Sequence, residues 1–361
     1  MGQISTSLKF ILLNMVWVAG ISFLGIPESN AQDARFAQFY YAPLQLNPAL
    51  TGVFEGQFRG VANYRELYTS ILGAHPFRTL AASFDMRTNV GRYDHAGFGI
   101  SALRDEAGIS GFNRTDFSLS ASYQKQMGGS RYNKSNQFLV AGARLGLGQR
   151  GFEWDKLWFT QQFDLNTYNV DQGMDSGEDF ATNTTDLYVD FSAGILYYAV
   201  FGVNQSLYFG GSIHHLNEPN ISFLENADER LPSNYVLHGG GEFPVSDNVS
   251  LLPAIAFMSQ GPSMSTTFGA NLRYSRREWQ EVAIRAGLWS HISNKLDKEV
   301  HMDAMTVSAI IEFEGMNIGL SYDITTSVLS EADNSRGAFE VSFVYIHRPR
   351  DRRARVDCPR F

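Results

Sequence analysis

The sequence predicts an all-β protein, a transmembrane antiparallel β-barrel of about 14 strands with an N-terminal segment and a C-terminal tail outside its wall. Three observations predict it. The first is alternation. Met316, Ile318, Leu320, Tyr322 and Ile324 alternate with Asn317, Gly319, Ser321, Asp323 and Thr325. The beat returns at Met305, Val307, Ala309, Ile311 and Phe313, and at Phe339, Val341, Phe343 and Tyr345. A period of two gives a strand one apolar and one polar face. The second is the make-up of the polar face, which is mostly Gly, Ser, Thr and Asn with occasional Arg or Glu and almost no Lys. Small polar residues suit the crowded, wet interior of a barrel whose apolar face meets lipid. The third is the sorting of connections by parity. Those after even-numbered strands are short: Gly202-Val203, Ser246-Asp247, Ser275-Arg276-Arg277 and Glu314-Gly315. Those after odd-numbered strands run longer, with extremes at Gln149 to Thr185 and Leu216 to Ser233. Tight periplasmic turns and long outer loops are the habit of outer-membrane barrels.

Taken in order, residues 1–31 read as a secretory signal peptide. Lys9 precedes an apolar run from Phe10 to Leu24, followed by Pro27 and a small-residue site at Ser29-Asn30-Ala31, so cleavage is expected before Gln32. The run is short for a spanning anchor and ends in a helix breaker. Residues 32–57 form an aromatic-rich segment expected to pack into the periplasmic mouth or the lumen as a plug. Within it Asn47-Pro48 and Gly52 bracket a turn, since a residue before proline is pushed extended and glycine accepts positive φ. Residues 58–347 carry the barrel. Its strands are expected near 58–68, 78–88, 95–104, 113–126, 136–148, 186–200, 204–215, 234–245, 248–259, 264–274, 279–290, 303–313, 316–326 and 337–347. If the first strand rises from the periplasm, the long loops face outward and both chain ends lie in the periplasm. Tyr64, Tyr68, Tyr123, Tyr198, Tyr208, Tyr274, Trp279, Trp289 and Tyr345 fall near strand ends, where interfacial girdles sit, although aromatics are also good strand formers. Residues 348–361 are a basic periplasmic tail with Arg348, Arg350, Arg352, Arg353 and Arg355, ending Cys358-Pro359-Arg360-Phe361. Pro349 stops the last strand. A charge run of this kind is either a solvated extension against lipid phosphates or a docking peptide for a periplasmic partner.

Charge and motif content exclude several function classes. A net charge of -8 argues against a nucleic-acid partner. Cys358 is the single cysteine, so the chain has no internal disulfide. His214-His215 with Asp228 and Glu229, and His301 with Asp303, invite a metal reading. Adjacent histidines on a regular strand point to opposite faces, so one metal cannot take both. No G-x-S-x-G elbow, H-E-x-x-H pair or phosphate-cradling glycine loop occurs, and Ser290-His291 is the nearest thing to a hydrolytic pair. The expectation is a protein that is not an enzyme and that carries no cofactor or catalytic residue.

The ends of the chain carry a resemblance. The run Asp33, Phe36, Gln38 and Phe39, followed by Leu46-Asn47-Pro48-Ala49 with Gly52 and then Asn63-Tyr64-Arg65, resembles the PorP/SprF family of type IX secretion system outer-membrane proteins. Pro76-Phe77 with Thr79, Ser83-Phe84-Asp85, Gly97-Phe98-Gly99 leading to Asp105 and Gly108, and the terminal Cys358-Pro359-Arg360-Phe361 are also similar. One departure is visible: the family commonly has Gln-Trp where Leu67-Tyr68 stand. The resemblance implies a non-enzymatic barrel of the type IX secretion and gliding machinery of Bacteroidota. Its implied partners are outer-membrane lipid, periplasmic motor-ring and peptidoglycan-binding components, and a large surface adhesin with a C-terminal signal domain. The outer loops are expected to hold the exported partner and the termini to engage the machinery. The rival reading is an outer-membrane transporter or porin for small or hydrophobic solutes, which needs a continuous path where an adaptor can be plugged.

Overall fold

The computed structural model describes residues 33–361 except 92, 131–132, 166, 178–182, 225–226, 277–281, 295–299, 349–357 and 361. The expected signal peptide lies outside the described residues. The strands, numbered along the chain, are β1 (Phe58–Leu67), β2 (Phe77–Val90), β3 (Asp94–Ala107), β4 (Phe112–Ser130) and β5 (Asn133–Gly151). After a two-rung ladder of β6 (Phe163–Asp164) and β7 (Asn169–Val170) come β8 (Tyr188–Gly202), β9 (Gln205–His214), β10 (Asn234–Pro244) and β11 (Val249–Gln260). The last five are β12 (Ser263–Tyr274), β13 (Val282–Asn294), β14 (Val300–Phe313), β15 (Met316–Thr325) and β16 (Arg336–His347). All but β6 and β7 form one closed barrel of 14 strands, each antiparallel to its neighbours, and β1 pairs with β16 from Phe58 opposite His347 to Leu67 opposite Ala338. Every expected strand is present, most with bounds moved by a few residues.

The alternation sorts as a lipid-facing barrel requires. On β15 Ile318, Leu320, Tyr322 and Ile324 are exposed outward, while Ser321, Asp323 and Thr325 are buried within. On β14 Val307, Ile311 and Phe313 face out, and Thr306, Ser308 and Glu312 face in. A closed cylinder satisfies every inter-strand hydrogen bond and leaves no sheet edge, so an apolar exterior can sit in hydrocarbon.

The two mouths differ. At one end the connections are tight, as at Val203-Asn204 and Glu314-Gly315. The other end carries residues 68–76, 152–187, 215–233 and 326–335. The parity rule has exceptions: Gly261-Pro262 is a two-residue turn at the long-loop end, and the connection at 275–281 is seven residues long at the short-turn end. Ring placement also corrects the girdle expectation. Tyr123 and Tyr345 are exposed outward, but Tyr198, Tyr208 and Trp289 are almost wholly buried inside the barrel. Trp279 lies outside the described residues.

Candidate functional site

Residues 33–56 run through the barrel from one mouth to the other. Asp33 sits at the long-loop mouth, where its backbone N–H donates to Gln260 Oε1 at 2.8 Å and Asn234 Nδ2 donates to its Oδ2 at 3.1 Å. Midway, the backbone N–H groups of Ala37 and Gln38 donate to Glu340 at 2.7 and 2.9 Å. Gly52 N donates to Asp85 Oδ2 at 2.8 Å. At the short-turn mouth Arg87 donates to the carbonyls of Phe54 and Gly56 at 2.8 and 2.9 Å. From Phe36 to Phe54 nearly every residue is buried, so the segment is a plug along its whole described length.

Local sequence explains the path. Three single turns, Phe39–Tyr41, Pro43–Leu46 and Pro48–Leu50, shorten the segment and give part of its polar backbone internal partners. Asn47 is extended at φ -158°, as a residue before proline should be, and its Oδ1 accepts from Ala49 N at 2.8 Å to cap the next turn. Its Nδ2 donates to the carbonyls of Ile195 and Gly211 at 3.1 and 3.2 Å. Gly52 closes the turn at φ +73°. The wall makes room where the plug presses hardest. A Cβ on Gly194 would collide with Asn47 Oδ1, and one on Gly142 would lie 2.5 Å from Pro48 O. Phe39, Tyr40, Leu46, Leu50 and Val53 join Tyr198, Tyr208 and Trp289 in one apolar cluster. The Phe39 and Tyr40 rings stand 5.6 and 5.2 Å from that of Trp289. The inward aromatics of β8, β9 and β13 therefore serve the plug, and each large apolar side chain so buried contributes about 1.5–3 kcal/mol over an exposed one.

Several charged groups inside the lumen are paired across strands. Arg59 grips Asp85 through Nε at 2.9 Å and Nη2 at 2.8 Å, and Nη2 also reaches Leu50 O at 3.1 Å. Arg65 bridges Asp323 at 2.5 Å and Glu340 at 3.0 Å. Arg285 and Arg273 share Glu312. These pairs escaped notice in the sequence, where only occasional Arg and Glu on the polar face hinted at them.

At the long-loop mouth Asp33 is the centre of a knot with Arg114 and His215. His215 follows the end of β9 with a left-handed φ of +57°, which turns its ring inward beside that of His214. The opposite-face expectation for adjacent histidines fails at this residue for that reason. Nε2 meets Asp33 and Nδ1 meets Asp190, each at 2.8 Å, so both ring nitrogens face carboxylates and the imidazolium form fits best. Burial alone would lower the His215 pKa, but Asp33 and then Asp190 raise it above the ordinary value. Burial opposes ionisation of Asp33 too, yet Arg114 and then His215 hold its carboxyl well below the usual range. His214 instead bonds Leu46 O at 3.2 Å. Among the described residues no group of three His, Cys, Asp or Glu side chains is arranged to hold a metal.

The sequence-expected site residues divide into three sets. Phe36, Gln38, Phe39, Asn47, Pro48, Ala49 and Gly52 are buried in the plug, and Arg65 is in the lumen, but Tyr64 faces outward with its hydroxyl on Glu66 at 3.2 Å. Cys358, Pro359 and Arg360 do not project as a free peptide. They fold back on the short-turn mouth, where Arg360 Nη1 donates to Asn204 at 2.6 Å and to Glu242 at 3.0 Å. Arg87 Nη1 reaches Cys358 Sγ at 3.3 Å, so one guanidinium holds both the plug's exit and the returning tail. Arg348 lies 3.8 Å from Glu55, and Arg350, Arg352, Arg353, Arg355 and Phe361 are outside the described residues. Asp33 and Cys358 are thus at opposite mouths. The described ends of the chain therefore do not share one mouth, because a plug that threads the barrel carries Asp33 to the far end.

A family described as type IX secretion system membrane protein PorP/SprF matches residues 28–345. No curated protein sequence matches the chain. Among solved structures, the toluene transporter TodX of Pseudomonas putida aligns at 11% identity and a TM-score of 0.43, over 88% of this chain and 98% of that one. The KdgM porin aligns at 8% identity and 0.32, over 79% and 98%. CdiB of Acinetobacter baumannii aligns at 7% identity and 0.42, over 80% of this chain and 60% of that one.

Proposed function

Since the chain belongs to the PorP/SprF family of type IX secretion system membrane proteins, we propose that it is a non-enzymatic, plugged barrel of the outer membrane that works as an adaptor. In this reading the long loops face the cell exterior and hold an exported surface protein of the adhesin kind. The short-turn mouth, with the tail docked on it, faces periplasmic components of the secretion and gliding machinery, including motor-ring and peptidoglycan-binding proteins.

One observation carries the proposal: residues 33–56 occupy the bore from mouth to mouth, held at Asp33, Glu340, Asp85 and Arg87. A conduit for solutes needs a continuous wet path, and a segment this thoroughly buried stands in its way. What such a molecule can offer partners is its two faces. The test is conductance in planar bilayers, with the intact protein and with a variant lacking residues 33–56. The intact barrel should stay closed and the variant should conduct; a large steady current through the intact protein favours the porin reading instead. Removal of residues 349–361 should abolish surface display of the client while leaving the barrel inserted, and unchanged display counts against a role for the tail.

A further inference from the structure

The long-loop mouth holds a cavity that the plug leaves unfilled. Its volume of about 350 Å³ falls at the low end of the ~300–1,000 Å³ common for ligand pockets. Phe36, Tyr68 and Phe77 supply aromatic surface, and Tyr68 and Phe77 meet edge to face at 5.9 Å. Asp105 and Asp303 supply negative charge, and of the two arginines that also line the cavity Arg65 is neutralised by Asp323 and Glu340, which leaves Arg35. Asp105 accepts from Thr79 Oγ1 at 2.6 Å, and among the described residues no cation pairs with it. Asp303 accepts from Ser293 Oγ, and its one cationic neighbour among the described residues is Arg35 at a loose 3.7 Å; the Asp303 and Arg35 side chains are 28% and 34% exposed, so solvent reaches this part of the cavity. The other acids there are already committed, Asp323 to Arg65 and Asp33 to Arg114 and His215.

The loops around the cavity have the same character. Residues 152–187 carry eight carboxylates against one lysine, and 215–233 carry four against one arginine. Phe152 of the first loop packs on Phe223 of the second at 5.1 Å, and Tyr188, Ile221 and Leu231 share a small core, so the two loops form one platform. Trp158, Leu165, Tyr168 and Met174 are exposed on it. Apolar side chains displayed in water mark an interaction surface, and aromatic faces beside carboxylates favour a cation over a neutral or anionic guest.

We propose that the long-loop mouth is a receptor for a basic segment of a partner protein, with a Lys or Arg side chain entering the cavity between Asp105 and Asp303 and apolar neighbours lying on the loop platform. The proposal rests on the adaptor reading and names the chemistry of what the outer face holds. Long-range attraction from the loops steers the segment in, and the cavity selects for a cationic side chain flanked by aromatic or aliphatic ones.

The experiment uses the full barrel in detergent and two fluorescent nonapeptide probes, one alternating Lys with Phe and the other alternating Glu with Phe, read by anisotropy. The Lys probe should bind at least ten-fold more tightly than the Glu probe, and its affinity should fall several-fold when salt rises from about 0.05 to 0.5 M. The double variant D105N/D303N should weaken it at least five-fold, whereas D247N/E314Q, which removes the same charge at the opposite mouth, should change it less than two-fold. Equal loss in both variants reduces the effect to net charge and overturns the proposal, as does equal binding of the two probes. Outer-membrane fractionation of the same variants reports on the adaptor reading independently, because a barrel that fails to reach the membrane fails there and not in the peptide assay.

Discussion

Asn47 shows how much one side chain can hold. It caps the turn that follows it and donates to the wall carbonyls of Ile195 and Gly211, with no solvent near. In Asn47→Ala those carbonyls and the Ala49 N–H lose their partner, at about 1–3 kcal/mol for a buried group left unsatisfied. Arg59→Ala should cost more, about 3–5 kcal/mol, because it strands the buried Asp85 carboxylate. Midpoints of urea unfolding in detergent should therefore rank wild type above Asn47→Ala above Arg59→Ala; the reverse order of the two variants would contradict the weight given to the ion pair. Neither role was legible in the sequence beyond the turn at Asn47-Pro48. A pair such as Arg59 and Asp85 is made by strand register, and the residues that meet across a lumen carry no local sign of each other. The aromatics were misread for a related reason. On β8 both faces are apolar, with Ile195 exposed outward and Leu196 and Tyr198 buried inside, so alternation lost its power to say which side Tyr198 was on.

At the scale of elements the strands were legible and the plug's route was not. Each strand writes its own inside and outside in a two-residue beat, and small polar residues opposite apolar ones identified the lipid face. The N-terminal segment has no such beat; its aromatics and Asn-Pro announce that it packs, but not against what. Its first anchor depends on charge. His215 has a raised pKa in the folded state, so its contribution is complete below the ordinary 6.5 and is lost as pH climbs through the raised value. Asp33 has a depressed one, so its contribution is present above the ordinary 3.8 and is lost as pH falls through the depressed value. The anchor should hold below pH 6.5 and loosen as pH climbs above it. Trypsin cleavage after Arg35, normalised to cleavage after the loop residue Lys156, should rise between pH 7 and pH 9.5 in the wild type. An unchanged ratio would mean that Arg114 alone secures the end.

At the scale of the whole molecule the charge is unevenly shared along the sequence. The long loops are acidic, whereas residues 348–361 carry six arginines against two aspartates. If the long loops face the exterior, a short epitope placed directly before Asp33 should be stained on intact cells, and one appended after Phe361 should be stained only after the outer membrane is permeabilised. Staining of both epitopes, or of neither, on intact cells would refute opposed ends. The barrel's general form followed from the sequence. That the plug traverses the bore did not, because a terminal segment of this length fits equally well folded into one mouth.

The threaded segment bears on how the molecule is made. A filament inside a hoop, tied to the hoop at one end, gets there either by being fed in tip first or by having the hoop drawn shut around it. Residues 36–54 leave almost no clearance against the wall, so anything bulkier fused ahead of Asp33 forbids the first route. The hoop must then be drawn shut around the filament, and the β1–β16 pairing, where the two ends of the strand order meet, is the natural seam.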